Sequence, residues 1–295
     1  MRNRTSKAAV VDLQGNVARG RTRTPDADPQ NFLERFFRIY GLSADAAVRD
    51  RSGFLVSPTP LFDRIYYRQH LPWFTRDSVD PLVHYFEQGW LNNTPFHPAI
   101  DPVFLMHELE ASELTQPLLL TYLEAEEEVN VHPLFNMDVY GSYVRKEDFG
   151  RRRLFEVFVG DWPDAVAPFS KLFSLSFYAD DERLVRLGRL NPLIHYLSTP
   201  RERQTDPNPM FHNLWYDTQY PRVDNSEHLD PLLRYAVVGL KRLDMPNPYA
   251  AGELKANAGM LTVQMLFEYV RVDECDRQWF AANGGQPMRR KGGVV

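Results

Sequence analysis

Hydrophobic residues recur along this chain in two series that keep step. Phe62, Ile100, Phe135, Phe173 and Phe211 stand 38, 35, 38 and 38 residues apart, and Leu82, Leu119, Leu154, Leu193 and Leu232 follow at 37, 35, 39 and 39. Self-similarity at such a period is the mark of a repeat architecture built from small supersecondary units. Around the first series the apolar positions fall at i, i+4 and i+5, as in Phe62, Tyr66 and Tyr67 or Phe173, Phe177 and Tyr178. Around the second they fall at i, i+3 and i+4, as in Leu82, Tyr85 and Phe86 or Leu193, Tyr196 and Leu197. Both spacings share one face of an α-helix, so each unit is predicted to be a helical hairpin. The fold class expected is all-α, an α-solenoid-like array of about five two-helix units.

The polar punctuation agrees. Asp80, Asn191 and Asp230 each precede a proline, the order in which a side-chain oxygen caps a helix and proline takes its first position. Gly89 and Gly239 lie where those helices should stop, and are predicted to close them in a left-handed conformation. Between units run Thr94-Pro95, His97-Pro98, Asp206-Pro207-Asn208-Pro209 and Pro246-Asn247-Pro248, which break helices and turn the chain.

Partial units flank the array. Leu33, Phe36 and Phe37 repeat the second-helix face, while Tyr249, Leu266, Tyr269 and Val270 begin another copy. A hairpin cannot bury two apolar faces alone, so these pieces are read as caps. The organisation expected is a disordered basic tail over 1–30, a capping helix and insertion over 31–59, five hairpins over 60–248, a partial repeat over 249–283 and a second disordered tail over 284–295.

Composition adds limits on function. Of the 295 residues 43% are hydrophobic and 13% aromatic, ample for a core. No run approaches the roughly 18 apolar residues that cross a bilayer. The single cysteine, Cys275, allows no internal disulfide; with no recognisable secretory signal, the expected location is cytoplasmic. Charge is uneven: residues 1–24 carry +5 and the last segment +3, so removing both from the whole-chain −5 leaves −13 on the body. Such a body repels phosphate backbones, and nucleic acid is not an expected partner. The basic tails could touch an anionic membrane surface.

The strings PLFDRIYYRQHLPWFTRDSVDPLVHYFEQGW (60–90), FSLSFYADDERLVRLGRLNPLIHYL (173–197) and MFHNLWYDTQYPRVDNSEHLDPLLRYAVVG (210–239) resemble a bacterial repeat. In it an F-D-x-x-Y-Y block is followed by D-P-L-x-H-Y-x-x-x-G-W and an N-P-x-F segment. The resemblance spans roughly residues 60–249. It implies a setting in surface or capsular polysaccharide assembly, where such repeats commonly accompany glycosyltransferases. The chain departs from those relatives in having no visible catalytic domain, neither an alternating strand and helix pattern nor a Gly-rich nucleotide loop.

Candidate chemistry is sparse. Asp26-Ala27-Asp28 has the form of a metal-nucleotide D-x-D element but sits in a proline-flanked tail, away from the rigid strand end such a site needs. His84 and His195 share one slot that Thr121 and Arg234 fill elsewhere, an exchange no metal ligand or acid-base group tolerates. Glu124, Glu126, Glu127 and Glu128 form a consecutive run rather than two carboxyls across a cleft. No catalytic residue, cofactor or metal ligand is therefore predicted. Trp73 in an inter-helix loop, Trp90 after Gly89, and His97 are the candidate ligand-binding residues. The leading expectation is a non-catalytic scaffold whose partner is a protein such as a glycosyltransferase or another polysaccharide-assembly component. The alternatives are a glycan-binding protein using those three residues, or a divergent glycosyltransferase or its accessory subunit.

Overall fold

The structure, a computed structural model, describes residues 29–144, 150, 152–162, 164, 167–221 and 229–248. Among these the protein is helical, with two isolated β-bridges and no strand. Helix α1 (Pro29–Ile39) is followed by pairs of short helices. They are α2 (Arg64–Gln69) with α3 (Pro81–His84), α4 (Pro102–Glu108) with α5 (Leu118–Glu124), and α6 (Met137–Gly141) with α7 (Leu154–Gly160). Next come α8 (Leu175–Asp181), α9 (Arg183–Arg186) and α10 (Pro192–Ser198), then α11 (Asn213–Gln219) with α12 (Pro231–Arg234) and α13 (Leu240–Arg242). Residues 1–28 of the predicted tail 1–30, the predicted partial repeat 249–283 and the predicted tail 284–295, with Asp26, Asp28 and Cys275, lie outside the described residues.

Helices this short are not stable alone, and the sequence holds their starts by one recurring device. Each residue after a first-series anchor is an N-cap: Asp63 accepts from the N–H groups of Ile65 and Tyr66, Asp101 from Val103 and Phe104, Asn136 from Val139, Ser174 from Phe177 and His212 from Trp215. The anchors thus stand one residue before the caps and two before the first helical residue, a correction to the prediction that they begin the helical face. From there an apolar residue before the cap meets the fourth helical residue, a hydrophobic staple. The rings of Phe62 and Tyr67 are 5.2 Å apart, Phe135 and Tyr140 5.7 Å, Phe173 and Tyr178 4.9 Å, and Phe211 and Tyr216 5.1 Å.

The same cap residue ties each segment to the next. The backbone N–H of Asp63 donates to Phe96 O (2.9 Å), Asp101 to Val131 O (3.0 Å), Asn136 to Phe169 O (2.8 Å), Ser174 to Pro207 O (2.9 Å) and His212 to Pro246 O (3.1 Å). Three residues before each anchor stands a buried polar side chain, Thr59, His97, His132, Ser170 or Asn208, that accepts the N–H two residues on. One backbone task is thus met by four residue types.

The second helices start as predicted at Asp80, Asn191 and Asp230, each capping ahead of a proline. Their ends differ from prediction. After α3 and α12 the chain makes π-helical turns, Tyr85–Gly89 and Tyr235–Gly239, in which Gly89 and Gly239 both have φ −61°. The left-handed closing residues come four positions later, at Asn93 (φ 51°) and Leu243 (φ 58°). What the two glycines supply is room: a tyrosine hydroxyl from the first helix of the same hairpin fills the place of each missing β-carbon. A π-turn adds one residue to a helical turn.

The core is one contiguous cluster containing every anchor of both series. Tyr85 Oη accepts from Leu119 N–H (3.1 Å), and Tyr196 Oη lies 3.2 Å from Asp230 Oδ1, so a second-helix tyrosine reaches the start of the following second helix twice over. Helix α1 packs on the Tyr85–Gly89 turn and α5. Arg153 donates to the carbonyls of Leu123 and Glu127 (3.1 Å each) and of Ala125, closing the end of α5. The chain also folds back, since Leu197, Thr199, Arg201 and Gln204 of the fourth segment and Leu229, Asp230 and Leu233 of the fifth line one groove with Tyr66 of the first and Asp101 and Val103 of the second.

Candidate functional site

That groove is the candidate site, with a volume of about 480 Å³. Its apolar wall is made by Tyr66, Val103, Leu197 and Leu233, and its polar groups come from Asp101, Thr199, Arg201, Gln204 and Asp230. Capping builds the site locally. Asp101 and Asp230 sit at the starts of α4 and α12, where each accepts backbone N–H groups at 2.9 Å or slightly more. The loop after α10 carries Thr199, Arg201 and Gln204 across to the fifth segment, and the Arg201 guanidinium donates to Leu229 O at 3.1 Å.

Electrostatics divides these groups. Burial raises the Asp230 carboxyl above its ordinary range, opposed by hydrogen bonds from the Leu233 N–H and Tyr196 hydroxyl and by the charge of Arg201. Burial also raises the Tyr66 phenol, with Asp63 and Asp101 adding to it. Beneath the groove, burial lowers His132 to about 4, so it is a neutral imidazole whose Nδ1 accepts the Leu134 N–H at 3.1 Å. Gln204 donates from Nε2 to Tyr196 O (3.0 Å), which fixes its amide orientation, while its Oε1 is buried with no hydrogen-bond partner.

The three residues singled out from sequence do not share one surface. Trp73 is 82% exposed, with its ring edge-on to that of exposed Phe74 at 5.9 Å. Trp90 is buried against Phe32 of α1, their rings 5.8 Å apart. His97 is buried, and its Nδ1 accepts the Ala99 N–H at 3.1 Å while burial lowers it to about 3. His84 and His195 instead meet the hydroxyls of Tyr67 and Tyr178 at 2.7 and 2.8 Å, and in the equivalent place the Arg234 guanidinium lies over the Tyr216 ring. Glu124 accepts from Arg35 at 2.6 Å. No group of three or more His, Cys, Asp or Glu side chains suited to a metal ion occurs among the described residues, and no described helix is long and apolar enough to cross a membrane.

No protein-family model, curated protein or solved structure matches the chain. The groove residues were missed from sequence because Tyr66 and Gln204 lie 138 positions apart, and no local spacing signals their meeting. From sequence Asp230 is legible only as a helix start, and Asp101 carries no signal that singles it out.

Proposed function

We propose that this protein is a non-catalytic helical-repeat scaffold that binds a protein partner, in the setting of bacterial surface polysaccharide assembly. The observation that carries this reading is the set of backbone bonds from Asp63, Asp101, Asn136, Ser174 and His212 to the start of the next segment. A chain in which each hairpin is joined to its neighbour by the same bond behaves as a stack whose units hold one another in place. Such a stack presents a broad surface and stays rigid while doing so. Its most distinctive polar side chains are absorbed in holding the backbone, as caps at the five helix starts and as turn acceptors before them. The polysaccharide setting rests on the F-D-x-x-Y-Y and D-P-L-x-H-Y blocks of the sequence.

The test is reconstitution. Affinity capture from the native host should yield a glycosyltransferase or another polysaccharide-assembly component that binds the purified chain directly and at fixed stoichiometry. Turnover of a nucleotide sugar by the chain alone, abolished by one point substitution, contradicts the reading.

A further inference from the structure

We infer that the loop between the two helices of the fourth segment docks on the corresponding loop of the second segment in another copy of this chain. The inference rests on these two loops and stands or falls independently of the scaffold role. In the fourth segment the sequence between the helices runs Arg183-Leu184-Val185-Arg186-Leu187-Gly188-Arg189-Leu190. Val185 is buried and holds α9 to the core, while Arg183, Leu184, Arg186, Leu187, Arg189 and Leu190 are all exposed. Three exposed leucines in so short a loop gain from being covered. The three guanidiniums between them make no ion pair or side-chain hydrogen bond among the described residues. Arginine is enriched and lysine depleted in protein interfaces, and residues 183–203 hold five arginines, no lysine and one carboxylate, Glu202.

The complementary charge is carried by the same chain. From Asp77 to Val144 there are twelve carboxylates and no lysine or arginine. Within that stretch Glu110 and Glu113 stand ten and thirteen residues after the anchor Ile100, the positions that Arg183 and Arg186 hold after Phe173. Helices α4 and α8 both end eight residues past their anchors, at Glu108 and Asp181, so the two loops leave equivalent ends of their hairpins with opposite charge. Glu110 and Glu113 are exposed and, like the arginines, have no ion-pair partner among the described residues. Charges left unmatched within one copy are matched between copies, and this complementarity selects the partner. Exposed ion pairs contribute little by themselves, so covering the leucines supplies the affinity and the charges set the register. A phosphate-rich partner fits less well, because the −13 on the body repels anionic bilayers and nucleic acids.

The experiment is sedimentation velocity on the full chain at protein concentrations up to about 200 μM, enough to reveal micromolar self-association. The expected result is reversible association that weakens on the order of tenfold between about 50 mM and about 500 mM sodium chloride. The variant Arg183→Glu/Arg186→Glu/Arg189→Glu should be monomeric, and so should Glu110→Lys/Glu113→Lys. An equimolar mixture of the two should associate again, since every loop contact between them joins opposite charges. Should the arginine variant lose its helical circular dichroism, Leu184→Ser/Leu187→Ser replaces it and should also be monomeric. A natural chain that stays monomeric throughout overturns the inference. So does association that the loop variants leave intact, which would belong to the basic tails, or a mixture that stays monomeric. Binding of a monomeric chain to phosphatidylglycerol vesicles through the same arginines also overturns it, because the occupant is then a lipid surface.

Discussion

The hydroxyl of Tyr67 occupies the space that a β-carbon on Gly89 would need. An ideal Cβ there would lie 2.0 Å from Tyr67 Oη and 3.0 Å from its Cζ, and the hydroxyl is held in place by His84 Nδ1 at 2.7 Å. Tyr216 and Gly239 repeat the relationship at 2.5 Å, with Asp244 in place of the histidine as hydrogen-bond partner. Glycine is therefore used for close approach between the two helices of one hairpin.

Gly89→Ala tests this by its sign. Gly89 has helical φ, so propensity alone would make alanine stabilising by about 1 kcal/mol. The collision with Tyr67 should instead destabilise by about 1–3 kcal/mol, the usual cost of overpacking. Tyr67→Phe in the Gly89→Ala background should recover part of the loss. Urea denaturation of the single and double variants measures both.

Leu243 is a second backbone test. It is exposed and held at φ 58°, where its counterpart Asn93 closes the first segment at φ 51°. Leucine in the left-handed region costs roughly 1–2 kcal/mol, and asparagine is more tolerant there. Leu243→Asn should raise the thermal midpoint, with a gain of some tenths of a kcal/mol up to about 1 kcal/mol.

Arg153 predicts a loss that charge conservation does not repair. Its guanidinium closes the carbonyls of Leu123, Ala125 and Glu127 and stands 5.5 Å over the Tyr122 ring. Arg153→Met leaves part-buried carbonyls without donors and should destabilise by about 1–3 kcal/mol. Arg153→Lys should recover little, because an ammonium lacks the planar fork that reaches several acceptors at once. Equilibrium denaturation of the two variants checks the order.

Stability should fall in mild acid. His97 and His132 are held neutral in the fold, with folded values of about 3 and about 4 against an ordinary 6.5. Below 6.5 the unfolded chain binds protons that the folded chain refuses, so their contribution is intact above about pH 7 and is lost as pH falls from 6.5 towards 4. His97→Asn places there the residue that serves the same turn at Asn208, and should flatten this dependence. Urea midpoints measured across that pH range give the comparison.

The sequence made some of this visible and hid the rest for identifiable reasons. Asp80-Pro81, Asn191-Pro192 and Asp230-Pro231 announce helix starts because cap and proline act within two residues. The recurrence of Phe62 and its counterparts was visible too, but a staple and a helical face use nearly the same spacing. Only the cap geometry of Asp63 or Asn136 separates them. Gly89 was misread because a helix-closing glycine and a close-approach glycine look alike until Tyr67 is placed beside it. The burial of His97 follows from equivalence with Thr59, Ser170 and Asn208, a register hidden by four different side chains. The groove depends on the chain folding back by more than a hundred residues, which no local pattern encodes.

Native-state hydrogen exchange at five backbone amides tests the stack most directly. Those of Asp63, Asp101, Asn136, Ser174 and His212 are each predicted to be protected, since each donates across a segment boundary to a carbonyl at 2.8–3.1 Å. Protection at all five, well above that of the exposed loop amides around Trp73, is the expected result. Exchange of these amides at the rate of an open loop would contradict the account.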